Sequence, residues 1–186
     1  MEARISPKTG KEAPIPVRHW EFDYFNYGTL AGSQSVYLFF ATALRYNFDN
    51  LPVDVGGEIS IGATPHPYYD PMELNEGDVL TRMYVMVSPA AHYNFRGGKN
   101  VSYYVGLGIG AGVGITDYFE SCHTGPEDVI VEEWKRDRHF VASLTPRVGV
   151  ELFRHVRVGL LARVPTDGDV TIGPSISVVL GGGKRR

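Results

Sequence analysis

The chain has 186 residues, of which 43% are hydrophobic and 21% charged, so it can bury a core within one domain and is neither disordered nor collagen-like. Its formal net charge is -3, with both signs scattered along the sequence. This excludes the basic stripe that duplex binding requires, and we expect no nucleic-acid partner. The single cysteine, Cys122, cannot form an internal disulfide, and no Cys/His spacing predicts structural zinc.

Targeting signals are missing from the first twenty residues, which carry charges and three prolines where a secretory signal has an apolar segment. An exported form would therefore be mature or truncated. No apolar run reaches the roughly 18 residues of a transmembrane helix. We expect an extended polar segment over 1–19, a β-barrel domain over 20–180 and a basic tail over 181–186.

Abundant glycine, tyrosine and phenylalanine favour strands joined by turns. Period-two alternation predicts eight strands, at about 20–28, 35–48, 51–62, 80–96, 101–116, 139–153, 155–165 and 169–180. The connections at 47–52, 96–100 and 153–156 have the composition of tight turns, whereas 28–35, 62–78 and 117–138 are longer. In an up-and-down meander the tight turns gather at one end and the long loops at the other. Pro89, Pro146 and Pro174 fall inside strands, where we expect bulges or strand ends.

Each of the last four strands divides into an apolar face without charges and a polar face. Leu107, Val148 and Ile176 lie on the apolar face, whereas Arg147 and Arg163 lie on the other. Two architectures fit: a soluble barrel whose apolar interior binds a hydrophobic ligand, or a transmembrane barrel whose apolar face meets lipid. The apolar set is too bulky for an eight-stranded interior. The alternating glycines over 106–114 would make room for neighbours inside a narrow barrel.

The sequence therefore predicts an all-β fold, an eight-stranded antiparallel up-and-down transmembrane β-barrel with a polar, plugged lumen and no open pore. Opposite charges that pair can share such a lumen, and Asp23 is a further candidate beside the predicted ionic network of Arg45, Asp54, Glu58, Arg82, Arg147, Glu151, Arg157 and Arg163. Aromatic rings near strand ends predict a belt at the bilayer interface; they are Phe22, Tyr24, Phe40, Tyr46, Phe48, Tyr93 and Phe95.

No histidine lies in a recognised catalytic motif. Ser88 and His92 share a strand face but stand more than about 10 Å apart along it, so His92 is predicted to be a satisfied lumen histidine. A lipid acylase or deacylase, or a divalent-cation site, would need loop residues. Those candidates are His66 with Asp70, and a second set of Asp117, Glu120, His123 and Asp128. Acidic loops are usually only solvated, so we expect no catalytic, cofactor-binding or metal-binding residues.

The motifs YVGLGIGAGVGI, SPAAHYNF and TPRVGVELF, with the alternation of short turns and long loops, resemble small eight-stranded outer-membrane barrels of the OmpA/OmpX-like, Bacteroidetes type over residues 20–180. The resemblance implies a Gram-negative outer-membrane location, periplasmic termini and extracellular loops. It implies no shared chemistry. We expect a structural or interaction module whose partners are outer-membrane lipid and other outer-membrane or extracellular proteins. Contacts would be made through loops 62–79 and 117–138, with His66, Tyr68, Tyr69 and Trp134 as the candidate contact surface.

Overall fold

The structure is a computed structural model that describes residues 19–33, 35–48, 51–64, 74–96, 100–124, 130–153, 155–166 and 168–181. Strands account for nearly all of them, and no helix occurs among them. The eight strands are β1 (Trp20–Ala31), β2 (Val36–Asn47), β3 (Val53–Ala63), β4 (Val79–Arg96), β5 (Val101–Thr124), β6 (Ile130–Leu152), β7 (Val156–Pro165) and β8 (Thr171–Leu180).

Every strand pairs antiparallel with its neighbours in sequence, and β1 also pairs with β8, so the sheet closes into a barrel. Closure leaves no unpaired sheet edge in the wall. The connections after β2, β4 and β6 lie at one end of the barrel, together with the start of β1 and the end of β8. We call it the short-turn end. The connections after β1, β3, β5 and β7 lie at the opposite end, which we call the loop end. The predicted fold class is confirmed.

Most large apolar side chains of the wall face outside. A small apolar cluster is buried in the interior; it consists of Leu30, Phe39, Tyr84, Met86 and Leu161. Leu107, Val148 and Ile176 are 44%, 50% and 48% exposed, whereas Arg147 and Arg163 are each 8% exposed. The predicted orientation is therefore confirmed, and the alternative of an apolar interior is wrong. The glycines of β5 explain how large inward side chains fit, since a Cβ on Gly106 would enter the His92 ring. No part of the described chain is a helix of the length and apolarity needed to cross a membrane.

Irregularities in the strands are few and lie away from the prolines. The register shifts between Asp23 and Asn26 in β1, and the inward positions change there from Glu21 and Asp23 to Asn26. The prediction of bulges or strand ends at Pro89, Pro146 and Pro174 is wrong. At each proline the pairing with one neighbouring strand is continuous, and the pairs flanking it on the other side keep the same register. A missing N–H removes a donor on one side of a strand only.

The predicted loop over 117–138 is wrong, because most of it is a hairpin formed by the ends of β5 and β6. Pairing between these strands continues from Asp117↔Arg136 to Thr124↔Ile130, whereas β6 pairs with β7 only from Ser143 onward. We call residues 117–124 and 130–142 the projecting hairpin. Cross-strand pairs of opposite charge stabilise extended backbone, so a segment this rich in charged residues can still form paired strands.

The connection after β1 is also shorter than predicted, because β1 continues to Ala31 and Gly32 N donates to Ser35 O at 2.8 Å. After β3, residues 65–73 lie outside the described chain, and the segment returns through a turn at Gly77. Gly77 has φ +90°, a left-handed conformation that glycine adopts without strain. Its N–H donates to Phe119 O at 2.9 Å, so this connection is attached to β5.

Candidate functional site

Charged side chains and one histidine fill the lumen toward the short-turn end. We call this group the inner ionic cluster; it consists of Glu21, Asp23, Arg45, Asp54, His92, Glu151 and Arg157, all buried. Period-two alternation places each of them inward from a different part of the wall, on six of the eight strands. A buried charge is expensive unless it is paired and hydrogen-bonded, so the contacts within this cluster decide whether the barrel is stable.

Arg157 on β7 is the centre of the inner ionic cluster. Its Nε donates to Glu151 at 2.8 Å, its Nη2 donates to Glu21 at 2.7 Å, and its Nη1 lies 3.2 Å from Asp23. One planar guanidinium therefore joins three carboxylates from β6 and β1, a geometry that a lysine ammonium does not reproduce. The Tyr104 ring lies beside it, with Cζ of Arg157 5.7 Å from the ring centroid.

The cluster continues through Asp23 to the other half of the wall. Arg45 Nη2 lies 2.5 Å from Asp23, and Arg45 Nε lies 4.0 Å from Asp54. Asp54 in turn contacts His92 Nδ1 at 2.7 Å and accepts a hydrogen bond from Asn94 at 2.9 Å. The structure places His92 in the lumen, as predicted, with Asp54 as the partner of its Nδ1. The prediction of a satisfied histidine is wrong for Nε2, which is buried without a hydrogen-bond partner among the described residues.

A further ion pair, outside the inner ionic cluster, crosses the lumen near its middle. Arg147 on β6 donates two hydrogen bonds to Glu58 on β3, at 2.7 and 3.1 Å. These strands are not neighbours, so the bidentate pair bridges the interior. We call Arg147–Glu58 the cross-lumen pair. It lies where an open channel would have to pass.

The remaining two arginines of the predicted network have different surroundings. Arg163 lies over the Tyr84 ring, 3.3 Å from Cζ to the centroid, with Nη2 2.8 Å from Met86 Sδ. Arg82 is half-buried and lines a cavity of about 220 Å³ at the loop end. The structure thus brings six of the eight predicted residues into ion pairs with each other or with Glu21 and Asp23, and places these two elsewhere.

Sequence reasoning missed Glu21, Asn94 and Tyr104 as members of this interior. The alternation of Glu21 and Asp23 with Phe22 was a readable signal, because it repeats the pattern that identified the later strands. Asn94 and Tyr104 also lie on the polar faces of their strands, but only the register shows that they approach Asp54 and Arg157.

Exposed aromatic rings gather at the short-turn end of the wall. Tyr46 stands at their centre, 5.7 Å from His19, 5.1 Å from Trp20 and 5.3 Å from Phe48 between ring centroids. Other members of the predicted belt lie at the same end of their strands: Phe22, Tyr24, Tyr93 and Phe95. Phe40 differs, since it lies mid-strand in β2 and packs against Phe25 and Tyr27.

The loop-end candidates are only partly within the described chain. His66, Tyr68, Tyr69, Asp70 and Asp128 lie outside it. Trp134 is exposed on β6 and opposes Phe119. No group of three or more His, Cys, Asp or Glu side chains among the residues described could hold a metal ion.

Asp117 forms an ion pair with Arg136 across the projecting hairpin. Arg136 donates from Nε and Nη2 to the two carboxylate oxygens, at 2.7 and 3.0 Å. These hydrogen bonds hold the pKa of Asp117 below its ordinary value, with the positive charge of Arg136 acting in the same direction. A carboxylate so held is an anchor for the hairpin and a poor general base.

No family model and no curated protein matches the chain. Among solved structures, Ail, the attachment invasion locus protein of Yersinia pestis, aligns over 88% of this chain and 95% of its own with 16% identity and a TM-score of 0.45. A second Ail structure, in complex with the heparin analogue sucrose octasulfate, aligns over the same shares with 18% identity and a TM-score of 0.44. The N-terminal β-barrel domain of Pseudomonas aeruginosa OprF aligns over 89% of this chain and 100% of its own, with 12% identity and a TM-score of 0.46.

The strand pairing of the chain itself defines its class. It is a closed eight-stranded antiparallel β-barrel with charges inside and apolar side chains outside.

Proposed function

We propose that the chain is an outer-membrane β-barrel without an open pore, which anchors and displays an interaction surface at its loop end. The observation that carries this proposal is the reversed polarity of the closed wall. Apolar side chains from every strand are exposed, while nine charged side chains among the described residues are buried: Glu21, Asp23, Arg45, Asp54, Glu58, Arg147, Glu151, Arg157 and Arg163. A continuous apolar wall of this extent is unfavourable in water and favourable in lipid.

Strand length supports a membrane-spanning role. The shorter strands have 10 to 12 residues, close to the roughly 9–11 that a tilted transmembrane strand needs. The aromatic rings at the short-turn end match the interfacial girdle of such barrels. The proposal includes a Gram-negative outer membrane as the location and the Bacteroidetes-type barrels, which the sequence motifs resemble, as the type of protein.

Two features of the lumen support a closed interior. The cross-lumen pair Arg147–Glu58 bridges the middle, and the inner ionic cluster fills the short-turn end. Moving an ion past them would require breaking buried charge pairs, which costs several kcal/mol each.

The interaction surface would be the projecting hairpin together with loop 62–79. On the N-terminal side of Ala142, β6 has no partner strand on the side of β7 within the described chain. Exposed Lys135, Arg136 and Arg138 lie along this edge, and Trp134 adds an aromatic side chain. Charged residues prevent unselective edge pairing, whereas an exposed tryptophan suits a specific contact. Outer-membrane lipid and extracellular or outer-membrane proteins are the partners we propose, and the proposal includes no catalytic role.

A lysine on the wall tests the membrane assignment. Ile109 is 59% exposed at the middle of the wall. In phospholipid vesicles, Ile109→Lys should lower the free energy of unfolding by about 2–4 kcal/mol, because its charge would lie near the bilayer midplane. The matched control is Val170→Lys, equally exposed but at the loop end, where about 0–1 kcal/mol is expected.

The readouts are urea unfolding in vesicles, membrane fractionation after expression with a signal sequence, and migration on a gel before and after boiling. A folded barrel should be found in the membrane fraction and change its migration on boiling. Solubility without detergent, together with equal effects of the two lysines, would contradict the proposal.

A further inference from the structure

The cavity at the loop end, which we call the mouth cavity, lies above the buried Tyr84 and Arg163. Its wall includes Tyr37, Arg82, Tyr84, Thr116, His139 and Arg163. These residues come from β2, β4, β5, β6 and β7, so the mouth cavity is built by the barrel wall itself. Rigid strands position binding groups more accurately than loops do.

Arg82 distinguishes the mouth cavity from the rest of the lumen. Arg45, Arg147 and Arg157 all bind carboxylates, whereas the Arg82 side chain makes no ion pair or hydrogen bond within the segments described. Of the two acids that line the cavity, Asp137 lies 3.5 Å from His139 Nδ1, and Asp169 has a partner. Within the described segments, the lining therefore presents the Arg82 guanidinium with unused donors, which suits an anionic oxygen group.

The other lining groups narrow the chemistry of the ligand. Tyr37 and Tyr118 offer flat apolar rings with a hydroxyl at one end, and Thr116 and Thr171 offer further hydroxyls. Alternating apolar and hydrogen-bonding groups complement a sugar ring, whose faces are apolar and whose edge carries hydroxyls.

Volume sets the size of the ligand. A cavity of about 150 Å³ holds benzene, and drug-sized ligands occupy about 300–1,000 Å³. The mouth cavity, at about 220 Å³, corresponds to one substituted six-membered ring. Tyr84 and Arg163 close it below, because Arg163 lies over the Tyr84 ring.

We propose that the mouth cavity binds a single acidic sugar ring, with the carboxylate of the sugar on Arg82 and its hydroxyl groups on the tyrosine and threonine hydroxyls. This small-ligand site goes beyond the proposed interaction surface and uses different residues from the projecting hairpin. The ligand enters from the loop end and stops at Tyr84 and Arg163, so binding requires no passage through the barrel.

The test is a titration of the folded barrel in detergent micelles, followed by NMR amide shifts. The probes are glucuronate and, as a neutral sugar of the same ring size, glucose. Glucuronate should give saturable shifts at Gly114, Thr116 and Gly168, and glucose should bind at least about tenfold more weakly, because it lacks the group that Arg82 recognises.

Three variants test whether Arg82 supplies the positive charge that binds glucuronate. Arg82→Gln should weaken glucuronate binding at least about tenfold, and Arg82→Lys should weaken it less, because the charge remains while the planar donor pair is lost. Arg138→Gln removes the same charge from the exposed hairpin and should change affinity less than about twofold. Gel migration before and after boiling verifies that each variant is folded.

Three results would overturn the site: no saturable binding of glucuronate, shifts that map to residues 133–138, or equal weakening by Arg82→Gln and Arg138→Gln. The third would mean that glucuronate responds only to the overall charge of the loop end. None of these results bears on whether the barrel is in a membrane, which the lysine substitutions on the wall test separately.

Discussion

The two halves of the lumen contrast sharply although one alternation pattern produces both. Toward the short-turn end, Arg157 alone touches three carboxylates, and the Tyr104 ring lies beside it. Toward the loop end, Arg163 rests on Tyr84, and Arg82 borders a cavity of about 220 Å³. Alternation decides which residues face inward, whereas the partners of those residues decide whether the interior is packed or open.

This contrast predicts that the short-turn half of the lumen matters for stability and the loop half for binding. Charges in the inner ionic cluster depend on each other, because none of them can be hydrated when its partner is lost. Arg82 is only half-buried and borders a cavity that opens at the loop end. It pairs with no carboxylate in the described part of the chain, so its loss leaves none of the buried carboxylates described there without a partner. Substitutions of the same kind should therefore have very different effects in the two halves.

The largest effect is expected from Arg157→Gln. It leaves Glu21, Asp23 and Glu151 buried without their shared guanidinium, and should lower the free energy of unfolding by about 3–5 kcal/mol. Urea unfolding in phospholipid vesicles, followed by tryptophan fluorescence, measures it. Arg82→Gln is the matched control, and a change below about 1 kcal/mol is expected there. Equal destabilisation by both substitutions would refute the division of the lumen into two halves.

The sequence predicted the inward and outward faces well because each strand obeys one local rule. Outward Leu107 and inward Arg147 follow directly from period two. The bulge in β1 interrupts that rule, and its signal was the adjacent pair Tyr24 and Phe25, both of which are exposed. Two neighbouring outward residues are possible only where the register shifts.

Ion-pair partners were not predictable in the same way. Arg147 meets Glu58 across the lumen although 89 residues separate them, and this meeting depends on the stagger of all the strands in between. The mouth cavity depends likewise on side chains from five strands. Composition and alternation supply the members of such sites, whereas closure of the barrel decides which of them meet.

An intermediate effect is expected at Gly106, which lies against His92 of the inner ionic cluster. A Cβ at Gly106 would overlap the His92 ring, whereas a Cβ at Gly57 would have no atom within 4 Å. Gly106→Ala should therefore destabilise the barrel by about 1–3 kcal/mol through overpacking. Gly57→Ala, on the outer face, should stay within about 0.5 kcal/mol. Similar unfolding curves for the two variants would show that His92 moves freely, and the packed half would then be less rigid than its contacts indicate.

The smallest effect is expected in the projecting hairpin, where water replaces any lost contact. Arg136 holds the pKa of Asp117 below its ordinary value. Their interaction therefore stabilises the hairpin fully at pH values above the pKa that Asp117 has in the unfolded chain. That contribution is lost as pH falls through the lower folded pKa. NMR titration of the Asp117 carboxyl should show a midpoint that rises toward the ordinary value in Arg136→Gln. The midpoint should also rise with salt, since both groups are near water. Lys135→Gln, one residue away, should leave it unchanged. An unshifted midpoint in Arg136→Gln would mean that the hairpin is held by backbone pairing and its aromatic side chains, without help from this pair.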